Sequence, residues 1–382
     1  MYFFTLGTYL VGSCITVTCV FLSLILFCKK KHSSVVLSNG KDQKTLGLGT
    51  WMAGVFVAGT GVALMYAPAD LVGYVKQGLS PIESILMLTL LNGATVWALY
   101  AIVGLWYMKN MDSKIGKLAA MLSTVLGMSV SLWTGMNTVA RFIGFDISGF
   151  KFFLAALTVL ISIVSAKYGY FNKMSRLAFF IFVIAFLSLV ATPITSFSIV
   201  PISGKITKLF FKEFFIGSTA ASWNWWFISW TFTVARFLAH ISNGRTIREY
   251  IAGTIILPTI LAIIWMTTSW IYQDVIMSFN LMKNFRCCIP AIIFIISGIL
   301  FMTGTLDSDC KVFTEDLEIL SKGKLSRESN IPFYGLFVLF LFCLYNSGIV
   351  KNPFAFNEYS SLIFLPLLVM AIINSIKMIW KK

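Results

Sequence analysis

The run "SWNWWFISW" carries four tryptophans within eight residues, 223–230. Hydrocarbon favours Trp little over Leu and leaves the indole N–H unsatisfied, so the rings need another purpose. On a helix Trp223, Trp226 and Trp230 fall at i, i+3 and i+7 on one face, and Thr233 and Phe237 extend that stripe. Trp225 points elsewhere. A second aromatic pair, Trp97 and Tyr100, stands at i, i+3 in "LLNGATVWALYAIVGLWY". Facing rings can enclose a cation because each π face is negative, and a desolvated contact is worth about 2 kcal/mol or more. A quaternary ammonium suits such a box, since it bears charge without hydrogen-bond donors. Two readings stand. Interfacial anchoring fits Trp223 and Trp225; Trp97, Trp226 and Trp230 lie several residues inside their apolar runs, at depths that an interfacial belt does not explain.

Backbone chemistry is the next candidate. "AGTGVALMYAP" holds Gly59, Gly61 and Pro68, and "GSTAAS" runs from Gly217 to Ser222. Glycine costs about 1 kcal/mol in a helix interior relative to Ala. A Gly-rich centre therefore marks either close helix packing or an unwound segment whose backbone meets a ligand. Nothing resembles an enzyme: His32 and His240, the only histidines, are isolated, and no catalytic residue is assigned. Cys14, Cys19, Cys28 and Cys343 sit in apolar segments, and the adjacent Cys287 and Cys288 have no indicated partner, so no metal spacing or disulfide framework is read.

The elements that must position these residues are membrane spans. With 58% hydrophobic and 12% charged residues, the chain belongs to the multi-spanning class, with the lipid bilayer as its surroundings. The first apolar run, 9–27, lacks a small-residue cleavage site and reads as a retained span. At roughly 20 apolar residues per span, eleven candidates follow: 5–28, 47–68, 84–107, 117–141, 149–166, 177–197, 218–241, 250–271, 287–305, 331–350 and 358–379. A net charge of +15 reports topology here, not a nucleic-acid partner. Twenty of the 30 Lys and Arg fall on one side of the alternating spans and nine on the other, with Arg236 inside a span. The richer side is expected to be cytoplasmic, which puts the N-terminus outside and the C-terminus inside a cytoplasmic (inner) membrane. The segment 198–217 has apolar and basic residues at helical spacing and reads as interfacial.

The interrupted spans, second and seventh, are five apart. Two five-helix repeats of opposite orientation would each begin there. The expected organisation is thus an extra N-terminal helix and basic loop (1–46), a first repeat (47–197), the interfacial segment (198–217) and a second repeat (218–382).

The run "WNWWFISWTFTVARFLAHISNGRTIREYIAGTIILPT" resembles the signature of the betaine/carnitine/choline transporter (BCCT) family. Ala239, Ile241, Ser242, Gly244, Arg245, Thr246, Ile247, Arg248, Glu249 and Pro258 match it, with His240 in place of the usual Arg. "AGTGVALMYAPAD", "VWALYAIVGL" and "FMTGTLDSD" resemble three further family segments in the same order. The resemblance implies an all-α, LeuT-like 5+5 inverted repeat, here with one extra helix instead of two. It also implies a secondary transporter of a betaine-, choline- or carnitine-type solute, and assembly as a homotrimer. The rival is a transport-inactive descendant acting as a solute sensor or partner subunit.

Carried over by resemblance, the aromatic box falls on Trp97, Tyr100, Trp226, Phe227 and Trp230, with the unwound backbone Gly59, Thr60, Gly61, Val62 and Ala63 beside the solute. Asn92 stands where many members have another box Trp, and Phe227 replaces a second one. The family's sodium site would use Val57, Thr60, Phe301, Gly304 and Thr305. Gly304 lacks the expected hydroxyl, and hard cations need several oxygens, so Na+ and H+ both stand as coupling ions. No organic cofactor is implied. Arg236 is expected to snorkel to the cytoplasmic face, Asp307 and Asp309 to cap the end of the ninth span, and Arg245, Arg248 and Glu249 to form a loop network.

Overall fold

A computed structural model describes residues 2–38, 45–59, 71, 74–76, 78–144, 147–191, 219–272 and 288–380. Among the described residues the named elements are all helices, joined by turns and loops, with one isolated bridge between Val36 and Thr246. The segments in order are α1 (Tyr2–Cys28), α2 (Leu48–Gly59), α3 (Pro81–Asn110), α4 (Lys114–Ile143), α5 (Ser148–Tyr168) and α6 (Phe171–Val190). There follow α7 (Thr219–Ile241), α8 (Ile247–Ile271), α9 (Cys288–Leu320), α10 (Arg327–Asn346), α11 (Pro353–Ser361) and α12 (Leu365–Trp380). Among the described residues, nine helices are long and apolar enough to cross a membrane. The chain is an all-α polytopic membrane protein. The expected eleven spans additionally need α2 and α7, which are not among those nine.

Local chemistry explains how α3 and α8 begin. Ser80 and Glu83 form a reciprocal capping box, with Pro81 in the first turn; Thr246 and Glu249 form another at the head of α8. Each box satisfies two of the free N–H groups that open a helix. Both helices then pass through π turns, Met87–Ala94 in α3 and Ala252–Ile256 in α8. A π turn holds an extra residue and shifts the phase of every side chain after it. In α3 the next residues are those that carry Trp97 and Tyr100.

Two expectations are corrected. The ninth span, expected to stop at 305, continues as α9 to Leu320. Asp307 and Asp309 therefore do not cap its end; both are buried within it. Their carboxylates turn into the bundle and find hydroxyls there, so the helix continues past the end of its apolar run. Arg236 does not snorkel either. It is buried and bonds to Asp316 of α9 and to the Met111 carbonyl at 2.9 Å.

The loop network at 245–249 is as expected: Arg245 bonds the Leu46 carbonyl and lies over Trp51, while Arg248 lies over Phe27. The interfacial segment 198–217, Cys287 and the Cys288 side chain lie outside the described residues. The other five cysteines are free.

Candidate functional site

Trp226, Phe227 and Trp230 sit in mid-α7, and Trp97 and Tyr100 in α3 directly after its π turn. α3 and α7 pack against each other, and all five side chains belong to one core. Their exposure is between 1 and 8%, which rules out interfacial anchoring for them. The Trp226 and Trp230 ring centroids are 6.0 Å apart with planes at 63°, and Trp226 and Phe227 are 5.0 Å apart at 33°. Of the stripe read at i, i+3 and i+7, Trp226 and Trp230 therefore form one aromatic surface, while the Trp223 side chain lies outside the described residues.

Glycine makes room for it. A methyl group at Gly127 of α4 would overlap the Trp230 indole, and one at Gly93, in the π turn, would come within 3.1 Å of the Trp97 ring. The indole is seated in the helix groove that Gly127 leaves. Among the described residues, Trp230 Nε1 and Tyr100 Oη are buried with no hydrogen-bond partner. Two donors without acceptors in an apolar core are costly, and they lie on the same rings that the sequence singles out.

A polar seam continues down α7 from Trp230. The Ser123 hydroxyl donates to the Ser229 carbonyl and accepts from the Thr233 N–H at 3.2 Å. The Thr124 and Thr233 hydroxyls are 2.7 Å apart, and Thr233 reaches Asp309 Oδ1 at 3.3 Å. One turn further on, Phe237 lines a cavity of about 460 Å³ whose wall also includes His240, Asp307, Lys311, Glu315 and Arg327. Asp307 there accepts from the Ser165 hydroxyl, and Lys311 Nζ lies 3.0 Å from His240 Nε2.

No protein-family model matches the chain. It is 26% identical over 280 residues to glycine betaine transporter 1 of Vibrio parahaemolyticus, covering 57% of this chain and 52% of that protein. It is 29% identical over 273 residues to the glycine betaine transporter of Acinetobacter baylyi, covering 57% and 41%. To the high-affinity choline transport protein of Escherichia coli it is 25% identical over 296 residues, covering 62% and 43%.

The chain is a relative of the betaine and choline transporters.

It spans about half the length of the curated relatives it matches. Against the residues that the BCCT resemblance carries over, Gly59 ends α2, while Thr60, Gly61, Val62 and Ala63 lie outside the described residues. Asn92 falls in the π turn of α3, its side chain also outside them. The sodium ligands can be tested in part. Thr305 Oγ1 lies 3.2 Å from the Val57 carbonyl and 2.9 Å from that of Phe301. Those three oxygens cluster, but Gly304 adds none, and a Cβ there would meet Val57 Cγ1 at 2.5 Å. A methyl group thus occupies the space beside Gly304. Among the described residues the oxygens fall short of the several that a hard cation requires. Thr60, the remaining position that the resemblance names, lies outside the described residues.

Sequence reasoning missed Asp309 and Asp316 as members of the core. Their i, i+7 spacing puts them on one helix face and was a usable signal. It was masked because a charged segment after an apolar run reads as a loop.

Proposed function

We propose that this chain is a secondary transporter of a quaternary ammonium or related zwitterionic solute, of betaine, choline or carnitine type, working by alternating access. The observation that carries the reading is the buried aromatic set Trp97, Tyr100, Trp226, Phe227 and Trp230 with two unpartnered donors on its rings. Rings hold the methylated nitrogen; Trp230 Nε1 and Tyr100 Oη suit a carboxylate or hydroxyl on the same solute. The names of the relatives support the same class. In this reading the cavity bounded by Phe237 is a vestibule on the lysine-rich, cytoplasmic side. The N-terminus then lies outside and the C-terminus inside an inner membrane.

The capping box and π turn repeated in α3 and α8, five segments apart, support the two-repeat organisation with divisions at 47–197 and 218–382. Assembly as a homotrimer is part of the same proposal. Proton coupling or solute exchange is favoured over sodium because Gly304 lacks the hydroxyl that the resemblance calls for and Val57 fills the space beside it.

The test is uptake of labelled betaine, choline and carnitine into proteoliposomes under imposed sodium or proton gradients. Saturable uptake of at least one, lost in Trp226→Ala and Trp230→Ala, is expected. Equal uptake by wild type and both variants overturns the box. Binding without any uptake overturns the transport activity.

A further inference from the structure

Asp309 is the least compensated charge-bearing group in the core. It lies in α9 with 1% exposure. Oδ1 accepts from the Thr233 hydroxyl, and Oδ2 has no partner among the described residues. Helices α4, α7 and α10 pack against α9. Thr233 comes from α7, with Thr124 of α4 behind it. The Asp309 charge also bears on the Tyr100 hydroxyl of α3 and the Tyr334 hydroxyl of α10, both buried and both without a hydrogen-bond partner among the described residues.

Cations near this region are engaged elsewhere. Arg236 pairs with Asp316, Lys117 with Asp112 and Arg327 with Glu315, while Lys311 lies against His240. On α9 itself Asp307 and Cys310 supply no positive charge, and Lys311, two residues on, is the one held against His240. An isolated carboxylate in a bilayer-embedded core is far less stable than its neutral acid. A proton on Oδ2 removes the charge.

We propose that Asp309 is a proton-binding site and that its proton competes with a cationic solute in the aromatic box. Thr233, which holds Asp309, lies three residues, about one helical turn, beyond Trp230 on the same helix. An ammonium head at that distance stabilises the carboxylate. Its arrival breaks the Asp309 O–H bond and sends the proton to water, leaving a carboxylate beside the cation. Linkage makes the effect reciprocal, so protonation weakens solute binding. The site stands on its own geometry; the competition rests on the transporter reading above.

Two measurements on the purified full chain separate these claims. Infrared difference spectra across a pH titration should show the C=O stretch of a buried carboxylic acid in the wild type. That band should vanish in Asp309→Asn, persist in Asp307→Asn and return shifted in Asp309→Glu. Choline binding should release protons into weakly buffered solution and tighten by up to about tenfold per pH unit through the titration. Asp309→Asn should bind with no such pH dependence. A band missing from the wild type, or retained in Asp309→Asn, overturns the proton site. Proton uptake, or pH-independent choline binding by the wild type, overturns the competition. If the band behaves as stated but no methylated amine binds, the proton site survives and the solute reading fails.

Discussion

Arg236 and Asp316 form an ion pair between α7 and α9 in which the side chains are 7% and 0% exposed. Arg236 also bonds the Met111 carbonyl and stacks on Tyr107 at 5.6 Å, so one guanidinium ties four chain segments together. Removing one partner strands the other as a buried charge. Arg236→Ala or Asp316→Ala should therefore cost about 3–5 kcal/mol, read as a large drop in thermal unfolding temperature in detergent. The double replacement Arg236→Met with Asp316→Leu should recover much of that loss.

The aromatic set makes a graded prediction. Each Trp face that is lost should remove about 2 kcal/mol of cation attraction, close to thirtyfold in Kd. Trp230→Phe should lose less than Trp230→Ala, because a smaller π face remains. Binding of a methylated amine by isothermal calorimetry checks the order. An uncharged isostere of the amine should be indifferent to all three states of the site.

Seating of the Trp230 indole against Gly127 can be probed from the other side. Gly127→Ala introduces a methyl group into space that the ring fills, and such overpacking costs about 1–3 kcal/mol. The ring must tilt, so solute affinity should fall even though no box residue has changed. Gly149→Ala, where a Cβ meets nothing within 4 Å, serves as the neutral control.

Sodium dependence gives a paired test. Replacing external sodium by potassium should leave uptake unchanged in the wild type. Gly304→Ser alone should impair the protein, since its Cβ meets Val57 Cγ1. Combined with Val57→Ala, it should regain activity and acquire a sodium requirement, because a hydroxyl then joins the Thr305 and carbonyl oxygens. Uptake rates in sodium and potassium buffers decide it.

The membrane class, the helical segments and the aromatic stripe were all readable from the chain itself, because each depends on local periodicity. A run of apolar residues must hydrogen-bond its own backbone in lipid, and helical spacing alone puts Trp226 and Trp230 on one face. Capping residues at 80–83 and 246–249 set helix starts in the same local way. What the tertiary structure decided was the fate of the charges. Asp309 looked like a helix end and Arg236 like a snorkelling side chain, and Asp316 drew no reading, since an unpaired charge does not stay in an apolar core. Their partners, Thr233 and each other, come from helices 76 and 80 residues away. No local pattern encodes such a pairing. Gly127 shows the same division: its sequence position marks only a small residue in a span, and its role as the seat of the Trp230 ring exists only once α4 and α7 are packed together.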